Sequence, residues 1–429
     1  MKLSNTVRRC SAALAVGAMS LGLVTVTGGA AQAAASCTGD VSIYGTLSDG
    51  KLTYTQIEPN TGDRIKTLIG PALGFTPKAM ATLNFNTVLV TSTAGDLYRV
   101  DVQTNNTTLA LAGVEKIWDG GWTFDKMVYD GAGHLYGTVE GQLHQYLVSQ
   151  DKPQGSAHIG QHVVIDTGFV LKTLAAAGDD RIVASTSDGR LLSYKINGVN
   201  DWDRSVLKSS GWSGVDSLSS PGGGLYYGRT DGGMYWYHDV DPTDGDGSDI
   251  AYHSGDPVDA SGWTQSLLSA YADNCAYVVP APPKSVQGGT IYRNEVMTRA
   301  KDWYNRNVQY SQSAYATDIE GDDSYRTDCS GFVSMAWHLT TSLTTQTLPS
   351  ASTQISKASL RPGDALNSIS EGHVVLFAGW KDQDAGTFYY YSEGSPSSDM
   401  NYSTANVYSG TIDSHAASTY VALRYDKIA

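Results

Sequence analysis

The sequence of 429 residues predicts an all-β propeller of five blades followed by a smaller α+β domain, a multidomain chain. Three observations carry this expectation. A turn-and-strand unit recurs five times, a Gly–aromatic pair recurs in phase with it, and after a proline-rich break the apolar residues change to helical spacing.

Residues 1–35 read as a signal peptide. Lys2, Arg8 and Arg9 form its charged start, Ala12 to Val26 its apolar stretch, and Ala31-Gln32-Ala33 and Ala33-Ala34-Ala35 its small-residue cleavage sites. No other run approaches the ~18 apolar residues a membrane helix needs. The mature protein is therefore expected to be secreted, extracellular or wall-associated, with no membrane span and as a monomer. Cys10 leaves with the signal. Removing the signal moves the net charge from -14 to -17, which argues against nucleic acid or another polyanion as partner.

The repeats occupy residues 36–279. Units such as Tyr44-Gly45-Thr46-Leu47-Ser48-Asp49-Gly50 and Ala184-Ser185-Thr186-Ser187-Asp188-Gly189 place Asp-Gly or Gly-Asp between alternating strands, a hairpin signal. The turn glycines Gly50, Gly95, Gly141, Gly189 and Gly232 stand 45, 46, 48 and 43 residues apart. The second marker is Gly74-Phe75, Gly121-Trp122, Gly168-Phe169, Gly211-Trp212 and Gly262-Trp263. A period near 45 with about four short strands per repeat indicates a propeller. The first turn precedes the first aromatic, and the last aromatic follows the last turn. The blade begun at Trp263 must then be completed by strands near Tyr44. If Cys329 stays free, Cys37 and Cys275 form a disulfide, and that bond would lock the seam.

The period, the Asp-Gly turns and the Gly-Trp markers resemble the tachylectin-2 type of five-bladed lectin. The resemblance implies binding of N-acetylated amino sugars or cell-surface glycan, with Trp122, Trp212 and Trp263 as candidate sugar-binding residues. The bland reading is that the Gly–aromatic positions only pack blade against blade.

Pro280-Ala281-Pro282-Pro283 breaks the pattern, and residues 280–289 read as a linker because proline cannot continue a sheet ladder. Over 290–429 the spacing predicts a helix from Tyr292 to Asn305 with the stripe Met297, Ala300, Trp303 and Tyr304. A second helix follows Asp328-Cys329-Ser330-Gly331-Phe332-Val333. Asp328 suits its N-cap, and Cys329 then stands at the first helical position, where the helix dipole is expected to lower a thiol pKa. His338, on the same helix, is expected to be partly exposed. Gly372-His373-Val374-Val375-Leu376-Phe377 reads as a buried strand, paired through the Lys381–Gly386 loop with Thr387–Glu393. Pairing Trp380 with Thr387 brings Glu393 within about one residue of facing His373. Glu393 is then the expected orienting residue, with His415 as a weaker candidate.

The order of Asp-Cys-Ser-Gly, Leu360-Arg361-Pro362-Gly363-Asp364 and Gly372-His373-Val374 is similar to that of the NlpC/P60 cysteine peptidases, papain-like enzymes that cut peptidoglycan stem peptides. That resemblance implies Cys329 as nucleophile, His373 as base, Glu393 as third residue, and Tyr310, Asp328 and Ser330 against the substrate peptide. Two departures stand out: Ser311-Gln312-Ser313 follows Tyr310 where the family has a Gly-rich stretch, and a glutamate at position 393 is more usual in the related CHAP amidases. The rival readings are an N-acetylmuramoyl-L-alanine amidase and a glycan-binding lectin or toxin acting on another target. No cofactor is implied, and no Cys/His cluster shows zinc spacing, so no metal is expected.

Overall fold

The computed structural model describes residues 34–253, 255–278, 284–395 and 398–429. The signal-peptide expectation over residues 1–33, and Pro280 to Pro283 of the linker, lie outside the described residues. The chain is nearly all-β, in a propeller-like arrangement.

Four strands in succession build each of three sheets: Pro77–Asn84 to Leu109–Trp118, Lys126–Tyr129 to Ile159–Thr167, and Ala175–Ala176 to Asp201–Lys208. A fourth sheet begins with Ser217–Gly222 and ends at Ile250–Tyr252. The fifth is assembled from both ends of the repeat region. Its inner strand, Leu267–Ala270, pairs antiparallel with Val41–Thr46, with Ile43 opposite Ala270 and Tyr44 opposite Ser269. The inner strands of the five sheets touch one another in a closed ring. They line a central cavity of about 220 Å³ that includes Met80, Val128, Ala175, Ser219 and Leu268.

The seam is as expected from the offset repeats. Cys37 and Cys275 are bonded and stand directly opposite each other on the antiparallel strands Ala34–Cys37 and Cys275–Val278. The expected end of the signal, Ala35, lies two residues into the first of these strands, since Ala34 and Ala35 already pair with Val278 and Tyr277.

Each turn glycine falls between the second and third strand of its sheet, with a left-handed φ of +73° to +92°. A side chain is strained there, which is why the repeat keeps Gly at that point. The Gly–aromatic markers then latch adjacent sheets. The backbone N–H of Trp122, Phe169, Trp212 and Trp263 donates to the carbonyl of Gly95, Gly141, Gly189 and Gly232, each at 2.9 Å. In the first repeat Leu73 takes this place, donating to Gly50 at 3.0 Å.

The α+β papain-like domain expected over 290–429 is not what the structure shows. Only two α-helices occur among the described residues, α1 (Arg293–Arg306) and α2 (Cys329–Ala336). The rest of this part is mostly strand, and no separate α+β unit is set apart. Strand His373–Asp382 meets the outer strand Asp201–Lys208 in a parallel bridge, Arg204 with Asp382, so the C-terminal strands extend a sheet of the ring. The physical reason is an open sheet edge met by matched polar groups. Arg204 forks onto Asp382 at 2.7 and 3.2 Å, Arg190 reaches Asp384 at 2.7 Å, and Gln383 accepts from the Val206 N–H at 2.7 Å. No helix among the described residues is long and apolar enough to cross a membrane.

α1 and α2 pack on one face of the C-terminal strands. Val296, Ala300 and Trp303 of α1, Phe332, Val333 and Ala336 of α2, and Val374, Leu376 and Leu423 of the sheet share this core. Asp364, from the Arg-Pro-Gly-Asp turn, is fully buried and holds Arg293 of α1 at 3.0 Å and Arg424 of the last strand at 2.7 Å. A buried carboxylate is tolerable when paired in this way.

Candidate active site

α2 starts as its sequence predicts. Asp328 Oδ1 accepts from the Gly331 N–H at 2.8 Å and caps the helix, which places Cys329 at its first position. Gly331 is required there because a Cβ would collide with the Arg326 carbonyl. The cap belongs to a closed local network. Arg326 donates to Asp328 Oδ2 at 2.5 Å and to Ser330 Oγ at 3.0 Å, and Ser330 Oγ donates to Asp328 Oδ1 at 3.2 Å. Asp328 and Ser330, expected to contact substrate, are thus engaged in holding the start of α2.

Cys329 is the free cysteine among the described residues, and it is buried. Its Sγ lies 3.7 Å from the carbonyl oxygen of Gly372, the residue before His373. The expectation of a lowered thiol pKa is reversed: burial, and then the charge of Asp328, push the thiol up to about 11. The helix N-terminus is outweighed by loss of water around the sulfur.

The largest difference from the sequence reading concerns the partner of His373. Its Nε2 lies 2.8 Å from Asp413 Oδ2, and no hydrogen bond joins its ring to Glu393. Burial works to raise the Asp413 carboxyl, but the hydrogen bond and charge of His373 outweigh it and hold it below the usual range. Asp413 sits in the tight turn between Thr411–Ile412 and His415–Ala416, with φ of +45°. His415 packs against the His373 ring at a centroid distance of 4.9 Å, and its Nδ1 is 3.3 Å from Glu371. Nδ1 of His373 has no hydrogen-bond partner among the described residues.

Glu393 fails as the orienting residue because it falls opposite the strand neighbour of His373 rather than His373 itself. Trp380 pairs with Phe388 rather than Thr387, but a bulge between Phe377 and Gly379 restores the expected offset, and Leu376 pairs with Tyr391. Carrying the Leu376–Tyr391 register two residues further puts Glu393 opposite Val374, on the face away from His373. An offset of one residue reverses the face of a strand side chain. Glu393 is instead fully buried near Asp328 and Asp399, and neither of its oxygens has a hydrogen-bond partner among the described residues. Burial, followed by the charges of Asp399 and Asp328, pushes its carboxyl up to about 8. Tyr310 is held by its backbone N–H, which donates to Asp399 Oδ1 at 2.9 Å. Burial raises its hydroxyl pKa, and the charges of Cys329, Asp328 and Glu393 add to the rise, so Tyr310 shares their side of the site.

Asp413 was missed because a polar turn between two-residue strands carries no periodic signal. The only hint was its place two residues before His415. His338 also departs from expectation: it lies just past α2 with φ of +52°, is buried, and bonds Ser285 Oγ at 2.7 Å.

The three candidate sugar-binding tryptophans are buried. Trp122 stacks on Tyr146 at 4.8 Å, and Trp263 donates through Nε1 to Asp259 at 2.9 Å. Neither presents an open ring face to a sugar, so their role is the latch between sheets. Trp212 differs in bordering a cavity of about 460 Å³ with Tyr235, Tyr237, Tyr252 and Lys208.

Two groups among the described residues gather three potential metal ligands: Asp130, His134 and Asp180, and Asp318, Asp323 and His338. Both are satisfied from within the protein. His134 lies 2.5 Å from Asp180, and Arg299 lies 2.9 Å from Asp318.

No family model matches the chain, and no curated protein is significantly similar to it. Among solved structures, one described under the de novo evolutionary emergence of a symmetrical protein aligns at 18% identity and TM-score 0.41, over 53% of this chain and 97% of that one. A functionally unknown protein from Desulfotomaculum acetoxidans DSM 771 aligns at 11% identity and TM-score 0.29, over 53% of this chain and 68% of its own. Neither likeness is close enough to carry over an activity.

Proposed function

We propose that the chain is a secreted thiol hydrolase that cleaves amide bonds in peptidoglycan stem peptides. The observation that supports it most is the placement of the Cys329 sulfur at a capped helix start, 3.7 Å from the carbonyl of Gly372, the residue that precedes His373 of the His373–Asp413 pair. The stem-peptide substrate rests on the likeness of the Asp-Cys-Ser-Gly, Arg-Pro-Gly-Asp and Gly-His motifs to NlpC/P60 peptidases.

In this mechanism His373 accepts the thiol proton as Cys329 Sγ attacks the amide carbon. A thiol with pKa about 11 rests protonated, so the proton leaves during attack rather than before it. The Cys329 N–H, at the first position of the helix, is the group that would stabilise the developing oxyanion. Imidazolium then protonates the leaving amine, and water hydrolyses the thioester with His373 again as base. Asp413 holds the ring and stabilises its cation, the third role of a nucleophile triad. The propeller-like part is proposed to hold cell-surface glycan, with the cavity beside Trp212 as its place.

The test is digestion of purified cell wall, with mass spectrometry of the products. Cys329→Ala is expected to abolish product release without unfolding the chain, and undiminished release would overturn the assignment. New amino termini on stem peptides support the peptidase; freed lactyl groups on muramic acid would identify an amidase instead.

A further inference from the structure

Asp413 is carried by residues 408–416, a surface strap in which Ile412 alone is buried. The strap leaves the core at Val407 and rejoins it at Ala417, both completely buried. Within it the Ala417 N–H donates to the Gly410 carbonyl at 3.0 Å, and the Tyr420 hydroxyl donates to the Ile412 carbonyl at 3.2 Å. Asp413 and Ser414 take left-handed φ values of +45° and +73°. Side chains are disfavoured there, so such a turn persists only where its surroundings hold it.

One side chain spans the two ends of the strap. Lys357 Nζ donates to the Val407 carbonyl at 2.7 Å and to the Ala417 carbonyl at 2.8 Å, 50 and 60 residues further along the chain. A surface lysine ordinarily keeps its ammonium in water or on a carboxylate. Lys357 gives its charge to main-chain carbonyls instead, and burial lowers its pKa. Bonds from a charged donor are the stronger kind. Lys357 is itself fixed from both sides. The strand Ser352–Ile355 before it pairs with Val421–Tyr425, and Leu360 after it is buried, with its carbonyl accepting from Trp380 Nε1 at 3.1 Å.

We propose that Lys357 is a positioning residue for the His373–Asp413 pair: its ammonium closes the base of the strap 408–416 and so fixes Asp413 against the imidazole. Asp413 Oδ2 must stay within hydrogen-bond reach of His373 Nε2, now 2.8 Å away, and the strap is what places it there.

The expected effect on rate rests on the hydrolase reading, whereas the expected effect on the imidazole rests on geometry alone, so both are measured on the full chain. In protein isotope-labelled at histidine, the His373 Nε2–H proton resonance is identified as the one that Asp413→Asn removes. Lys357→Met should shift it or lose it to exchange with water, while the ring N–H signal of buried His338, which bonds Ser285, stays in place. On solubilised wall fragments Lys357→Met should lower kcat by roughly tenfold or more, towards the ~10²-fold that a misplacement of about 1 Å can cost, with KM little changed. In an Asp413→Asn background the same substitution should cost less than about twofold, because the path it acts through is already cut. A lysine that only stabilised the fold would cost the same in both backgrounds. Lys357→Gln, which keeps an uncharged donor, should fall between parent and Lys357→Met, and it carries both readouts if the methionine variant does not fold. An unmoved His373 signal in a folded Lys357 variant would overturn the proposal and leave the hydrolase reading standing, and so would equal losses of kcat in the two backgrounds. A His373 signal that depends on Lys357 in a parent that releases no wall product would uphold the positioning role and sink the hydrolase reading.

Discussion

His373 is chemically defined by the nitrogen that is held and the nitrogen that is not. With Nε2 on Asp413, a neutral ring carries its proton on that side and offers Nδ1 as base. Asp413→Asn is therefore expected to lower kcat by ~10²-fold or more, by loss of the tautomer and of the imidazolium counter-charge. Glu393→Gln, which touches no ring nitrogen, should cost less than tenfold in the same assay; the reverse order would return the orienting role to Glu393. Glu393 also makes a prediction about stability. Its native carboxyl keeps its proton up to about 8, whereas in the unfolded chain it releases it near its ordinary value of 4.5. Between those values the native state binds more protons, so raising the pH favours unfolding. Glu393→Gln should therefore flatten the fall of Tm between pH 4.5 and about 8. An unchanged slope would show that Glu393 is ionised across the whole range.

At the scale of elements, the seam strand pair is the most exposed to failure, because no backbone joins the ring where Leu267–Ala270 meets Val41–Thr46. The Cys37–Cys275 bond closes a loop with a sequence separation of 238 residues. Restricting the unfolded chain across such a loop contributes ~2–4 kcal/mol. Cys37→Ser/Cys275→Ser should lower Tm accordingly, while hydrolysis well below the new Tm stays near the parent value, since Cys329 lies outside the loop. A loss of activity in folded double variant would tie the seam to the chemistry and contradict this division.

Over the whole molecule, the C-terminal strands and the ring meet through charged side chains rather than a shared apolar core. Arg204 with Asp382 and Asp384, Arg190 with Asp384, Lys381 with Asp201, and Tyr389 with Asp203 gather along one sheet edge. Arg204 is the centre of this group, about one-fifth exposed, and its hydrogen bonds to carboxylate contribute about 1.5–3 kcal/mol each when the partner is charged. Arg204→Ala should therefore loosen the contact. Calorimetry is expected to resolve the parent's unfolding into more widely separated transitions in this variant, with the spacing in the parent itself narrowing at low salt. An identical thermogram would mean that the ion pairs contribute nothing to coupling.

What the sequence determined by itself was whatever is encoded locally or by counting. The turn glycines announce their positive φ, the Gly–aromatic markers announce the period, and their offset obliges the two chain ends to share a sheet. Asp328 before Cys329 announces a capped helix start, and His373 announces a strand that begins at an end. Tertiary structure decided what depends on which groups are brought together and how dry they become. Standing one residue short of facing His373, Glu393 lies on the other side of its strand, and a turn 40 residues further on supplied Asp413 instead. Burial raised the Cys329 thiol against the helix dipole and turned Trp122 and Trp263 into packing. It also made the C-terminal strands an extension of the ring rather than a separate α+β domain, because an open edge of matched charge lay beside them. Period, turn and cap are properties of a few adjacent residues, whereas partner choice, desolvation and edge pairing are properties of a surface that exists only after folding.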